Sequence, residues 1–335
     1  MSKIYTTEGW VNWDYILSQK SSFISVVGAR GVGKTYGLMR KLMESGEKFI
    51  YLRRLKSQLD QCGKTEGNPF KKLNTDMDRN VLPFPTGGMI AFRENEKTGD
   101  IVAAGVALSV VANVRGIDFS DYNYIVFDEF ISSAGERPIK NEFAAFLNFY
   151  ETVNRNRELE GRDPVKCIML GNANTLVNPY FSSWHFMRTA VRMITGNQMV
   201  WRSADGSRMV ILLLNSPISE KKKDTALYQN ADQDFISMAL DNAFRTDETN
   251  IKSEPLKEYV HIVSVGELGI YKHKSERKYY VSATQSVPYY DSFGIGLKMF
   301  QQDYYMLRVH YMVSKNVWFE SYELEVIFRE LFDLR

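Results

Sequence analysis

The sequence predicts an α/β protein built on a P-loop nucleoside-triphosphatase domain with a mostly parallel central sheet. Three observations carry that expectation. A GxxxxGK[ST] run, Gly28-Ala29-Arg30-Gly31-Val32-Gly33-Lys34-Thr35, lies between a β-rich stretch and a helix-compatible one. About 95 residues further on, four apolar residues end in two adjacent acids, Tyr124-Ile125-Val126-Phe127-Asp128-Glu129. Short β-rich runs alternate with helical segments between them, the pattern of a parallel sheet.

Each element can be justified in order. Residues 23–27 form an apolar run ending at glycine, a strand. Residues 34–45 have helical composition and stop at Gly46. Residues 48–53 (KFIYLR) read as a second strand. Pro83, Pro85, Gly87 and Gly88 punctuate a turn region. Residues 89–92 and 101–108 suit a hairpin around the polar loop 93–100. Residues 124–128 and 167–170 are buried strands, and 138–160 a long helix with Pro138 near its start and Gly161 at its end.

The character then changes. Residues 215–258 are polar and helix-compatible, and their charge run Lys221, Lys222 and Lys223 reads as a solvated linker surface. Residues 259–283 read as strand, turn, strand, and 316–335 as an amphipathic terminal helix. The expected organisation is an ATPase domain at 1–207, a helical linker at 208–250 and a small C-terminal α/β domain at 251–335.

Composition narrows the function. With 335 residues the chain can bury a sizeable core, and 13% aromatic content argues against extensive disorder. The net charge of +2 excludes a polycation, so any nucleic-acid contact must use a local patch. The excess lies with the phosphate site: residues 1–206 carry 26 Lys and Arg against 22 Asp and Glu, whereas 251–335 carry 11 of each. Cys62 and Cys167 are far apart and in no motif, which implies a reducing compartment and no disulfide framework. His185, His261, His273 and His310 lack metal-ligand spacing. The longest apolar stretch, 101–112, is well short of the roughly 20 residues a membrane helix needs. A soluble protein of the cytoplasm, with no membrane partner, is expected.

The chemistry follows from the two motifs. In 28–35 the glycines let consecutive N–H groups face phosphate oxygens, and the helix that begins there adds its positive end. Gly28, Ala29, Arg30, Gly31, Val32 and Gly33 form the cradle, Lys34 reaches the β- and γ-phosphates, and Thr35 offers a hydroxyl to Mg2+. A chance match to this pattern in such a chain has a probability of roughly 1%. Asp128 is expected to hold Mg2+ through water, and Glu129 to orient or deprotonate the attacking water. The adjacent Glu and the absence of an N-K-x-D base-reading motif favour ATP over GTP. Asn172, at the end of the next strand in Met169-Leu170-Gly171-Asn172-Ala173-Asn174, is positioned to touch the γ-phosphate or the water; a plain turn asparagine is the alternative. Hydrolysis gains from an arginine on the γ-phosphate. Arg155 and Arg157, late in the 138–160 helix and pointing opposite ways, and Arg115 are candidates to act on a neighbouring subunit's site; surface ion pairing is the alternative for each.

Together these motifs resemble the DNA-packaging ATPases of small tailed phages of the phi-29 kind. The shared text is G-A-R-G-[IV]-G-K-[ST] at 28–35, G-E-x-F-I-Y-x-R-R at 46–54, I-V-F-D-E-F-I at 125–131, N-E-x-x-A-x-L-N at 141–148, R-N-R-E at 155–158 and N-P-Y-F at 178–181. The resemblance covers about residues 20–185 well. It implies an additional-strand, catalytic-glutamate ATPase of the FtsK/HerA-like class using ATP and Mg2+. It implies a homo-oligomeric ring, expected to be a pentamer, docked on the phage portal and pumping double-stranded DNA into the prohead. A structural RNA is a further candidate partner, and the protein would act in the host cytoplasm and be absent from the mature virion. Arg155 falls at the family's trans-acting finger position, Arg115 at a basic position linked to the neighbouring site, and Arg53, Arg54 and Lys56 in its basic stretch. The C-terminal domain would resemble an inactive RNase H-like nuclease. The expected first strand there, 260–265, carries no acid, and Glu267, Asp291 and Asp303 are scattered, so no nuclease activity is expected. A motor must grip any sequence through phosphates, and Lys56, Lys71, Lys72 and Lys140 are the candidates for that grip. Two other readings are a small-molecule kinase, which has no need of Glu129 beside Asp128, and a protein that binds ATP without turnover, which has no need of intact Lys34, Thr35, Asp128 and Glu129.

Overall fold

Uninterrupted apolar runs, buried on both faces, form the middle of a large sheet. The computed structural model describes residues 3–114, 116–133, 136, 139–173, 178–222, 225–230 and 250–334. The chain divides into two units, one of residues 1–174 and 193–244 and the other of 175–192 and 245–335.

The first unit holds β1 (Phe23–Gly28), β2 (Phe49–Arg53), β3 (Val81–Thr86), β4 (Met89–Glu94), β5 (Ile101–Ala107), β6 (Tyr124–Asp128), β7 (Lys166–Asn172), β8 (Val200–Arg202) and β9 (Arg208–Leu213). They form one sheet in the order β3-β4-β5-β2-β6-β7-β1-β9-β8. The six strands from β5 to β9 in that order run parallel. The flanking β3, β4 and β8 pair antiparallel. Strand β7 separates β6 from β1, as an additional strand between the two nucleotide motifs. The register sets Gly28 beside Asn172 and Asp128 beside Leu170, so both motifs end at one edge. Ile24, Val26, Leu38, Phe49, Val126 and Ile168, all fully buried or nearly so, pack the core behind that edge.

Several expectations need correction. The region of Pro83 and Pro85 is the edge strand β3; proline is tolerated there because its missing N–H removes no central ladder bond. Only Gly87 and Gly88, both at positive φ, make the turn. The expected helix 138–160 is Glu142–Asn154 among the described residues, and it ends because Arg155 adopts φ 47°. The expected boundary at 207 falls just before β9, which pairs with β1, so 208–213 belongs to the first sheet and not to a linker. Pro217–Lys222 and Ala226–Gln229 are helical, and 231–249 lies outside the described residues.

In the second unit β10 (Tyr259–Val265), β11 (Leu268–His273) and β12 (Tyr279–Ser282) form an antiparallel meander, where one hairpin was expected. β13 (Tyr289–Tyr290) and β14 (Val317–Phe319) add parallel to its two sides. Helices Gly294–Asp303 and Tyr322–Leu331 bury Phe300 and Phe328 against Val263, Ile270, Val281 and Phe319. The terminal helix is shorter than 316–335 because Ser321 caps it and 317–319 is strand. No described helix is long and apolar enough to cross a membrane.

Candidate functional site

The site is built where β1, β2, β6 and β7 end. Gly31 and Gly33 take φ of 69° and 87°, which the loop needs and side chains resist. Gly33 caps the helix Lys34–Glu44, whose free N–H groups open toward the loop. Ala29 and Val32 are buried and anchor the loop to the core, leaving Arg30 exposed. Lys34 is only 8% exposed; its Nζ donates to Gly28 O at 2.8 Å, Ala29 O at 2.6 Å and Asn172 Oδ1 at 3.1 Å. Burial pushes its ammonium down to about 7, against the opposing pull of Asp128. A buried lysine solvated by carbonyls and one amide is poised to exchange those partners for phosphate oxygens.

Asp128 ends β6 with both oxygens engaged. Oδ1 accepts from the Thr35 hydroxyl at 2.8 Å, and Oδ2 accepts from the Tyr51 hydroxyl at 2.8 Å and from Arg53 Nη1 at 3.0 Å. Burial raises the Tyr51 phenol far above its ordinary value, so it stays a donor. Glu129 follows at φ 58°, a left-handed conformation costing a non-glycine residue about 1 kcal/mol. The chain rejoins β7 at the next residue, where Phe130 N donates to Leu170 O at 3.1 Å. That kink turns Glu129 out of the sheet, nearly half exposed, where it pairs with Arg53 Nη2. Gly171 permits the turn, because a Cβ there would stand 2.9 Å from Phe130 and 3.0 Å from Ile131.

Thr35 and Asp128 are hard oxygen donors 2.8 Å apart, the kind of pair Mg2+ takes alongside phosphates and water. Among the described residues no group of three or more His, Cys, Asp or Glu could hold a metal. Thr35 and Asp128 thus fit the protein's share of a Mg2+ coordination shell.

The remaining expected residues separate. Arg155 is half exposed, with Nη2 donating to Ile117 O at 3.1 Å and Nη1 3.8 Å from Asp118 Oδ1. Its helix runs back from the nucleotide edge, and Asn154 Oδ1 accepts at 2.8 Å from Val165 N, just before β7 begins. Arg155 thus lies at the opposite edge of the sheet, roughly 16 Å of strand from its own Asp128. Arg157 is not an available trans-acting group. It is 4% exposed, donating to Asn123 Oδ1, Ser120 O and Tyr122 O at 2.7–3.0 Å, and staples its turn to the loop before β6. Arg115 lies outside the described residues. Lys56, Lys71 and Lys72 sit on the helices Lys56–Cys62 and Lys71–Met77, ion-paired with Asp60, Glu66 and Asp76, and Lys140 is exposed between β6 and the next helix.

Two residues named in the sequence only as part of a basic stretch and a charge run belong to the site. Arg53 bridges both catalytic-type acids; its signal was a basic residue at the C-terminal end of a strand next to the acidic one, where ligands bind in open sheets. Lys222, read as linker surface, donates from Nζ to Arg30 O at 2.8 Å.

The family model for the podovirus DNA encapsidation protein (Gp16) matches residues 7–318. The DNA packaging proteins of Bacillus phages PZA and phi29 are each 32% identical over 185 residues, covering 54% of this chain and 49% of theirs. The chain thus matches about half the length of those relatives. A chain of the bacteriophage Phi-29 viral genome packaging motor assembly is 24% identical with a TM-score of 0.60, over 98% of this chain and 100% of that one, a likeness of fold. Because the family model spans nearly all of the sequence, this chain belongs to the podovirus Gp16 family of DNA encapsidation proteins.

Proposed function

We propose that this protein is the ATPase of a phage DNA-packaging motor, a homo-oligomeric ring that drives double-stranded DNA through the portal into a prohead. The observation that carries the reading is the cluster of Lys34, Thr35, Asp128, Glu129 and Asn172 at one sheet edge, in a chain of an encapsidation family. Loop amides and Lys34 bind and orient the triphosphate. Thr35 and Asp128 would hold Mg2+, which when bound would supply charge neutralisation to the phosphate oxygens. Glu129, once released from Arg53, accepts a proton from the attacking water, and Asn172 lies within reach of the terminal phosphate. Arg155, remote from its own site, serves the site of a neighbouring subunit, which couples firing to correct contact in the ring. A pentamer and a structural RNA at the portal are the assembly this reading favours, with the motor acting in the host cytoplasm and left out of the mature virion.

DNA is held through phosphates without base reading, with Lys56, Lys71, Lys72 and Lys140 as the groups to test; binding then weakens steeply with salt and little with sequence. The second unit is an inactive RNase H-like domain. Its strand β10 carries no acid, and Glu267 and Glu323 are both paired with Arg188, which leaves those carboxylates engaged by a cation and, among the described residues, not grouped with a further acid that could hold a metal. The test is phosphate release by the purified protein with and without DNA, together with packaging into proheads. DNA-stimulated hydrolysis and packaging, both lost in Glu129→Gln, are expected; phosphate transferred to a small metabolite instead would make the protein a kinase.

A further inference from the structure

We propose that Lys222 is a second phosphate-binding lysine of the nucleotide site, supplied in cis by the helix that follows β9; this rests on the reading of 28–35 as a triphosphate loop. Strand β9 runs parallel to β1 with Leu213 beside Gly28, so the chain leaves β9 at the edge where the loop begins. The helix Pro217–Lys222 then brings its last residue onto the loop, where the Lys222 ammonium donates to Arg30 O at 2.8 Å. A Cβ on Gly31 would meet that ammonium, which shows how closely Lys222 approaches the loop, while the glycine itself is required by its φ of 69°. The helix is fixed there. Ile218 and Ser219 are buried, and Pro217 lies so close to the N-terminal segment that a Cβ on Gly9 would stand 2.8 Å from its own Cβ.

A lysine with no ligand to meet gains by extending into water. Lys222 does the reverse and lies partly buried beside Arg30 and Lys34, where its charge helps to lower the Lys34 ammonium. Three cations around a loop of inward-facing amides repel one another, and a triphosphate converts that repulsion into attraction. The ammonium has three donors, and the one carbonyl leaves two for phosphate oxygens.

The test measures ATP and ADP binding to full-length protein carrying Lys222→Ala, Lys222→Met or Lys222→Arg, with Lys34→Ala in the same assay. Lys222→Met keeps the apolar stem and guards against a folding artefact. Ala and Met variants with wild-type thermal stability are expected to bind ATP about tenfold more weakly, and the Arg variant within about threefold of wild type. At an ATP concentration low enough to leave Lys222→Ala largely unbound, mixing it with Glu129→Gln should restore no hydrolysis, because no site in a mixed ring then holds both groups in cis. Affinity unchanged or tighter in the Ala and Met variants, with binding lost in Lys34→Ala, overturns the proposal while leaving the triphosphate loop intact; tighter binding would make Lys222 a plug. Restored hydrolysis on mixing overturns the cis assignment. Unchanged binding in Lys34→Ala sinks the triphosphate loop and this proposal with it.

Discussion

Both units of this protein pair an arginine with two carboxylates, yet the two arrangements differ in what holds them. At the edge of the nine-stranded sheet, Arg53 is 12% exposed and bridges Asp128 and Glu129, consecutive residues delivered by a buried strand beside a loop of free amides. In the second unit, Arg188 is 33% exposed and meets Glu267, on a turn, and Glu323, in the first turn of a helix. Rigid strand ends in a buried sheet fix the first set, with Asp128 within hydrogen-bond distance of Thr35. Nothing comparable fixes the second. Chemistry follows from which backbone presents the charges, and by that standard the first set is the one proposed as the reaction centre.

Substitutions can break or sharpen that contrast. Among the cis residues the largest effect on turnover belongs to Glu129→Gln, which should bind ATP normally yet hydrolyse it about 10³-fold more slowly, since an amide cannot accept the water's proton; near-normal phosphate release would move the base elsewhere. Lys34→Ala should abolish most nucleotide affinity. Next is Arg157→Ala, expected to lower unfolding stability by about 2–4 kcal/mol by orphaning buried carbonyls, without changing ATP affinity. A denaturant titration that finds no loss would return Arg157 to the list of free arginines. A smaller effect is protonic. Burial holds Lys34 near 7 in the free protein, and a bound triphosphate raises it, so the complex carries more proton than the free protein. Affinity should therefore fall as pH rises above about 7, at most about tenfold per unit, and binding at pH 8 should take up a proton. Calorimetry in two buffers of different ionisation heat reads this uptake, and its absence would mean that Lys34 is already charged. The smallest effect is Glu267→Gln, worth less than about 1 kcal/mol because its ion pair is exposed. Full-length protein with Mg2+ or Mn2+ should leave DNA uncut with or without that change; cleavage abolished by it would make the second unit a nuclease.

The same contrast separates what could be read from the sequence from what could not. Strands β1, β2, β6 and β7 were legible to within two residues at each end, because buried parallel strands are continuous apolar runs closed by glycine or a charged residue. Strand β3 was hidden by Pro83 and Pro85, which mimic a turn and are tolerated only because the strand lies at an edge. Strand β9 is as apolar as β1 but was cut off by a boundary drawn at a polar stretch. Helical periodicity separated Arg155 from Arg157 correctly but overextended the helix, which stops before Arg155, and gave no sign that Arg157 is buried. Lys222 had no legible signal at all: three consecutive lysines look solvated until the fold returns one of them to the loop.

The central claim is that the nucleotide edge of one subunit is completed by its neighbour, and Arg155 tests it most directly. Arg155 lies half exposed at the far edge of the sheet from its own Asp128. Arg155→Ala should fold, bind ATP and bind DNA, and lose hydrolysis by about 10³-fold or more. The deciding measurement is the ATPase rate of Arg155→Ala mixed with Glu129→Gln, each nearly inactive alone. An intact arginine should then face an intact glutamate across some interfaces, and turnover should recover well above either parent. If mixed rings demonstrably form and the rate never rises, Arg155 is not a trans-acting group and the site is not completed in this way.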